Sequence, residues 1–131
     1  MQELEVTTFT AAVCGLIYLV LSYRVSQVRM SERISMGDGG NADLITRMRT
    51  QANFGEYVPI ILILIGLIEF ETGYSVLLGI VSAVLIVGRL LHAVGMGRPA
   101  PNPFRIAGTA GTWIVLLVLS VWGLILAIRT I

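Results

Sequence analysis

The sequence predicts an all-α integral membrane protein whose helices cross the bilayer four times. Hydrophobic residues make up 56% of the 131 residues, and charged residues only 13%. A water-soluble domain of this length needs more charge to cover its surface, whereas lipid-facing helices need very little. The apolar residues also fall into four long stretches separated by short polar segments. A single four-span domain over residues 1–131 is therefore expected.

The four apolar stretches differ in how much of a bilayer each can cross. Their expected bounds are about 6–23, 41–70, 75–97 and 105–129. The second stretch is strongly apolar only over 57–68, which is short of the roughly 20 residues that a bilayer requires. Its helix must therefore begin upstream, with Asn41 or Asp43 as the N-cap after the helix-breaking segment 37–40. Helix two is expected to extend beyond the bilayer as a polar cytoplasmic helix.

Basic residues cluster in two of the loops, and all nine of them are arginine. The first loop segment and the segment before helix four carry Arg24, Arg29, Arg33, Arg47, Arg49, Arg98 and Arg105. The loop 69–74 carries none, the C-terminus has only Arg129, and the N-terminus has Glu3 and Glu5 but no base. The positive-inside rule then places both termini outside and the Arg-rich loops in the cytoplasm. An N-terminus without a base also argues against a signal peptide as the first span.

A polar face on helix two combines a cation, an amide and an anion. Arg49, Asn53 and Glu56 stand at i, i+4 and i+7, so they share one helical face, and Tyr57 extends it toward the membrane. Such a face suits a zwitterionic ligand with carboxylates and an amine. The same spacing also allows Arg49 and Glu56 to pair with each other near the headgroups. The pattern alone leaves both interpretations open.

Helices three and four add further ionisable residues. Arg89 and His92 lie one turn apart in an otherwise apolar span, where an ionisable side chain is costly and is a functional candidate by default. Alternatively, Arg89 neutralises Glu56 or Glu69, and His92 is a hydrogen-bonded packing residue. Arg105, where helix four enters the membrane, is either a snorkelling anchor or the guanidinium nearest a bound anion.

Several kinds of site are excluded by the residues available. The chain has one His and one Cys, Cys14, so a metal cluster is not expected, and no nucleophile stands in a pattern with His92. No Gly-rich phosphate loop follows a strand, and a nucleic-acid partner is not expected. A small exporter would need a carboxylate in span one, which has none. If the protein is an enzyme, its nucleophile is therefore expected to arrive with the ligand.

Four residues of helix two, Arg49, Asn53, Glu56 and Pro59, match the frame Arg-x-x-x-Asn-x-x-Glu-x-x-Pro. With the four-span plan and the Arg beginning helix four, this resembles the family of membrane-associated proteins in eicosanoid and glutathione metabolism. That family includes microsomal glutathione transferases, leukotriene C4 synthase and microsomal prostaglandin E synthase. The resemblance covers nearly the whole chain and is strongest to the bacterial branch. It implies a homotrimer in a bacterial inner membrane, with glutathione bound between subunits near the cytoplasmic side.

The resemblance also implies roles for individual residues. Arg49, Asn53, Glu56 and Tyr57 would hold the carboxylates and the amine of glutathione. Arg89 and His92, the ionisable pair of helix three, are further candidate contacts. Arg29 and Gln51 would reach in from the adjacent subunit. Arg105 aligns with the family's thiolate-stabilising Arg, and a guanidinium does favour the thiolate and so lowers the pKa of a thiol. Arg105 is thus the expected catalytic residue.

The chain departs from both specialised synthases. The Arg-x-x-His pair ending in His92 resembles prostaglandin E synthase, but Met96 stands where both synthases have Tyr, and Ile106 where prostaglandin E synthase has Ser. The expected function is therefore a glutathione-dependent membrane transferase or peroxidase acting on small lipophilic electrophiles that enter from the bilayer. The alternative is a non-catalytic membrane scaffold or glutathione-binding protein of the same fold.

Overall fold

The computed structural model describes residues 3–130, and these form four α-helices joined by short connections. The helices are α1 (Glu5–Glu32), α2 (Ala42–Thr72), α3 (Val76–Met96) and α4 (Pro103–Thr130). Residues 3–130 contain no strand, and each of the 4 helices is long and apolar enough to cross a membrane. The predicted all-α class is confirmed, as are four helices with the length and composition of membrane spans.

The polar start of α2 is set by its N-cap. The side chain of Asn41 accepts a hydrogen bond from the backbone N–H of Leu44 at 2.9 Å, so Asn41 rather than Asp43 is the cap. Asp43 lies in the first turn and pairs with Arg47 at 3.1 Å, one turn further on. α2 therefore runs unbroken from the polar segment into the apolar one, which places the Arg–Asn–Glu face on a single continuous helix.

α1 continues past the expected end of its span at Tyr23 and stops only at Glu32. The extension is amphipathic, because Val25 and Val28 pack against Leu44 of α2 while the polar residues between them face outward. A guanidinium N–H of Arg47 donates to the backbone oxygen of Arg24 at 2.9 Å across the same contact. The tertiary contact with α2 thus keeps helical a segment that hydropathy alone would have assigned to a loop.

A buried carboxylate joins α1 and α2 at the opposite end of the bundle. Glu69, which is fully buried, accepts the backbone N–H groups of Val6 and Thr7 at 2.8 Å each. The hydroxyl of Thr7 donates to the same carboxylate at 2.6 Å. The first N–H groups of a helix have no intrahelical partner and carry a partial positive charge. Glu69 therefore supplies hydrogen-bond acceptors to the first N–H groups of α1, although it lies 63 residues from Val6 in the chain.

The core is a layer of branched aliphatic side chains shared by all four helices. Fully buried members include Ile61, Ile65, Leu78, Leu85 and Leu119. The outward faces are equally apolar, as in Leu16, Ile63 and Leu117, which are more than half exposed. A helix that is apolar on every side suits burial in hydrocarbon.

α3 and α4 approach each other closely at their ends near the Arg-rich loops. A Cβ added to Gly108 would lie 2.5 Å from the backbone nitrogen of His92, and one added to Gly95 would overlap the backbone of Arg105. Only glycine fits at either position. The two contacts, one helical turn apart, bring the start of α4 directly onto the last turns of α3.

Candidate functional site

The motif face of α2 is exposed at its polar end. Arg49 and Glu56 approach each other at 3.9 Å, with their side chains 62% and 54% exposed. A pair at this separation and exposure contributes little stability, because solvent screens it. The pairing anticipated from the sequence as one of two interpretations is therefore present in this single chain, and it is weak enough to be exchanged for other partners.

Further along the same helix, Asn53 contacts a buried cation. A guanidinium N–H of Arg89 donates to Oδ1 of Asn53 at 2.7 Å, and another donates to the hydroxyl of Thr112 at 3.3 Å. The guanidinium also lies 5.6 Å from the ring centre of Phe54. His92 presents Nδ1 at 3.2 Å from the same group. Arg89 is thus the point at which α2, α3 and α4 meet.

Arg89 is buried without a neutralising anion. It is only 2% exposed, and within residues 3–130 no carboxylate lies within ion-pairing distance of it. The suggestion that it neutralises Glu56 or Glu69 does not hold, since Glu56 faces Arg49 and Glu69 caps α1. Its Nε atom has no hydrogen-bond partner among the described residues. A buried cation with only neutral neighbours is expensive and leaves a local excess of positive charge.

The phenol of Tyr57 is bound by a residue that sequence reasoning missed. The indole N–H of Trp113, on α4, donates to the hydroxyl of Tyr57 at 3.1 Å, while the Trp113 ring remains 57% exposed. The spacing of Arg105, Thr109 and Trp113 at i, i+4 and i+8 was the available signal, because it puts all three on one face of α4.

This face of α4 forms a groove of about 460 Å³. Its lining is Ala100, Pro101, Asn102, Arg105, Ile106, Thr109, Ala110 and Trp113. Arg105 stands at the loop end of the groove and Trp113 two turns deeper. Among the described residues, the Arg105 guanidinium has no hydrogen bond or ion pair. The groove therefore combines an unengaged cation, a largely apolar wall and an indole face.

Arg29 and Gln51 make contacts within the chain. Arg29 donates to the backbone oxygen of Gly37 at 2.8 Å and to that of Ile34 at 3.4 Å, which holds the α1–α2 connection. Gln51 donates to the hydroxyl of Ser22 at 2.9 Å. One chain thus brings Asn53, Arg89 and His92 together but leaves Arg29 and Gln51 at the α1–α2 contact.

The fold and the site define a class: a four-span membrane protein with cationic groups gathered at one end of the bundle. The chain belongs to the MAPEG family, the membrane-associated proteins in eicosanoid and glutathione metabolism that the helix-two motif resembles. The family model matches residues 7–125. It is similar to the inner membrane protein YecN of Escherichia coli strain K12, with 29% identity over 95% of this chain and 99% of that protein. YecN of Escherichia coli O6:H1 strain CFT073 matches with the same identity and coverage. These relatives and the four apolar helices support an integral inner-membrane location.

Proposed function

We propose that this protein is a glutathione-dependent membrane transferase or peroxidase that acts on small lipophilic electrophiles. The observation that carries the proposal is the buried Arg89 guanidinium, which has no carboxylate partner among the described residues and is bonded to Asn53 of the α2 motif. A site that retains an uncompensated cation favours an anionic ligand, because the ligand supplies the missing countercharge.

The charges of the site fit those of glutathione, which has two carboxylates and one ammonium group. Arg49 and Arg89 are cations on neighbouring helices, and Glu56 is an anion on the same face as Arg49. The exposed Arg49–Glu56 pair exchanges easily, so Arg49 can take a carboxylate while Glu56 takes the ammonium. Tyr57 and His92 add hydrogen-bonding groups at the edges of this set.

Bound glutathione supplies the nucleophile, and Arg105 is the proposed catalytic residue. Its guanidinium lies in the first turn of α4 and is not engaged by another described side chain. A nearby guanidinium and the positive end of a helix both stabilise a thiolate relative to a thiol. Arg105 would therefore hold the sulfur in its reactive form at neutral pH.

The groove beside Arg105 is the proposed entry for the electrophile. Ile106, Ala110 and Trp113 give it an apolar wall, and it lies on the outer side of α4. A lipophilic molecule dissolved in the bilayer reaches such a groove by lateral diffusion. The reactive carbon or peroxide oxygen would then lie toward Arg105 and the apolar remainder along the indole.

A homotrimer with glutathione between subunits is the proposed assembly. The polar side chains of Arg49 and Glu56 are more than half exposed in one chain, which leaves them open to contact with a neighbouring subunit. A closed cyclic arrangement around α2 would bring such a subunit against them. In that arrangement Arg29 and Gln51 would contact the ligand of the neighbouring subunit. Native mass spectrometry in mild detergent should detect trimers, and monomers or dimers alone would exclude this assembly.

A non-catalytic scaffold or glutathione-binding protein remains the second candidate, and one observation favours it. Several polar groups of the site already satisfy one another, since Arg49 pairs with Glu56 and Asn53 accepts from Arg89. A protein that had lost turnover would retain the buried Arg89–Asn53 contact for stability.

Titration of purified protein with glutathione separates the candidates. Calorimetry measures binding, and absorbance at about 240 nm measures thiolate formation. S-methylglutathione is the matched control, since it keeps the charged groups but cannot ionise at sulfur. Binding of both compounds, with an absorbance rise for glutathione alone, supports the enzyme. Binding without a rise supports the glutathione-binding protein, and no binding supports the scaffold.

A further inference from the structure

Asn102 links the ends of α3 and α4 in a way that the proposed chemistry does not yet use. It lies in the connection between the two helices, immediately before Pro103, and is 8% exposed. Proline is favoured at the first position of a helix, where its missing N–H is not needed. Asn102 therefore occupies the N-cap position of α4.

The side-chain amide of Asn102 both accepts and donates hydrogen bonds. Oδ1 accepts the backbone N–H of Arg105 at 3.0 Å, which caps α4. Nδ2 donates to the backbone oxygen of Gly95 at 2.9 Å and to that of Pro99 at 3.3 Å. An ordinary N-cap needs only the acceptor. The donor side of this amide instead ties the start of α4 to the last turn of α3.

The bond to Gly95 lies beside the closest contact between the two helices. The Cα of Gly95 packs directly on the backbone of Arg105, and one turn away Gly108 packs on His92 in the reciprocal arrangement. Displacing Asn102 would release the first of these two contacts. The position and rotation of the first turn of α4 therefore depend on the Asn102 amide. The same amide thereby fixes where the backbone of Arg105 lies.

We infer that Asn102 is a positioning residue for the reaction, one that fixes the Arg105 guanidinium against the sulfur of the bound thiol. This inference rests on the proposed function. The Arg105 side chain has no hydrogen-bond partner among residues 3–130, so its own contacts do not locate it. Its placement comes from its backbone, which Asn102 holds. Electrostatic stabilisation of a thiolate falls with distance. A small displacement of that backbone away from the sulfur therefore weakens the stabilisation that the Arg105 guanidinium provides.

The test separates the cap from the link to α3. Asn102→Ser keeps a short acceptor for the Arg105 N–H but cannot reach the oxygen of Gly95, whereas Asn102→Ala loses both. Asn41→Ser and Asn41→Ala are the matched controls, because Asn41 caps α2 through the same kind of bond, 2.9 Å to the Leu44 N–H, at the same end of the bundle. The readouts are glutathione affinity and the pH dependence of the thiolate absorbance.

Both Asn102 variants should retain glutathione affinity within about threefold. The apparent pKa of the bound thiol should rise by about one unit, which leaves about tenfold less thiolate below that pKa. The Asn41 variants should leave the thiol pKa unchanged. An unchanged thiol pKa in Asn102→Ser would overturn the inference while leaving the proposed function intact, as would an equal rise in the Asn41 variants. A wild-type protein that binds glutathione without forming thiolate would remove the proposed function and the inference together.

Discussion

The shortest side-chain bond at the candidate site joins Arg89 to Asn53, at 2.7 Å between Nη2 and Oδ1. It connects the middle of α3 to the motif face of α2, and it holds a buried cation with a neutral acceptor instead of a carboxylate. A structural ion pair would have used Asp at this position. The neutral amide fixes the guanidinium without cancelling its charge, which keeps that charge available to an anionic ligand.

Replacing Asn53 by Asp should therefore separate stability from binding. The introduced carboxylate supplies the countercharge that Arg89 lacks, so Asn53→Asp should melt at or above the wild-type temperature in detergent. Its glutathione affinity should fall by more than about tenfold, since the positive charge is cancelled.

Asn53→Ala is the companion variant for that prediction. It leaves the buried guanidinium without its shortest bond and should destabilise the protein by about 1–3 kcal/mol. Tight glutathione binding by Asn53→Asp would show that the charge of Arg89 is not used for the ligand.

Substitutions of Arg49 and Arg105 by alanine should affect different steps, namely glutathione binding and thiolate formation. Arg49→Ala removes a charge-assisted contact to a carboxylate and should weaken glutathione binding by about 1.5–3 kcal/mol. Its effect on unfolding should be small, because the Arg49–Glu56 pair is exposed. Arg105→Ala should bind glutathione nearly normally but lose the thiolate absorbance and turnover.

Full thiolate formation and activity in Arg105→Ala would make Arg105 an interfacial anchor. Arg29 or Arg89 would then be the next candidates for stabilising the thiolate. If Arg49→Ala does not weaken glutathione binding, Arg49 does not contact a carboxylate of glutathione.

Glu69 should be the carboxylate on which the stability of α1 depends most. Glu69→Gln removes the charge that faces the start of α1. It also leaves one backbone N–H without an acceptor, because the amide nitrogen of Gln cannot accept a hydrogen bond. We expect a loss of about 1–3 kcal/mol in the free energy of unfolding. Glu71→Gln, two residues on and exposed, is the control and should change stability by less than about 0.5 kcal/mol. Equal effects of the two substitutions would contradict the capping role.

The α3–α4 contact should be intolerant of a single methyl group. Gly108→Ala would press a Cβ against His92 and the backbone oxygen of Gly88, so the helices must separate. Destabilisation of about 1–3 kcal/mol is expected, together with a loss of thiolate formation. Gly111→Ala is on the same helix but meets no atom within 4 Å, and it should be neutral or stabilising. Thermal melts of the two variants compare them directly.

The Arg-rich loops should face the cytoplasm. A reporter fused after the C-terminus should behave as extracytoplasmic, and one inserted near Gly39, in the exposed α1–α2 connection, as cytoplasmic. The opposite behaviour at both sites would invert the proposed orientation and move the candidate site to the outer face.

The helices of this protein were predictable because each depends on local properties of the chain. Apolar length marks the spans, and the Asn41 cap and the breaker before it mark the start of α2. The end of α1 was not predictable in the same way. Its last turns are polar enough to resemble a loop, and they are helical because Val25 and Val28 find Leu44 on another helix.

The candidate site also has a part that the sequence predicts and a part that depends on tertiary contacts. Arg49, Asn53 and Glu56 are related by helical periodicity within one element, so the sequence by itself determined that they share a face. The partners of Arg89, the bond between Trp113 and Tyr57, and the cap that Glu69 provides to α1 each join residues distant in the chain. Spacing does not reveal which buried cation meets which acceptor, because that depends on how helices cross. Only the tertiary structure decided that Arg89 would be left with Asn53 and Thr112 and without a carboxylate.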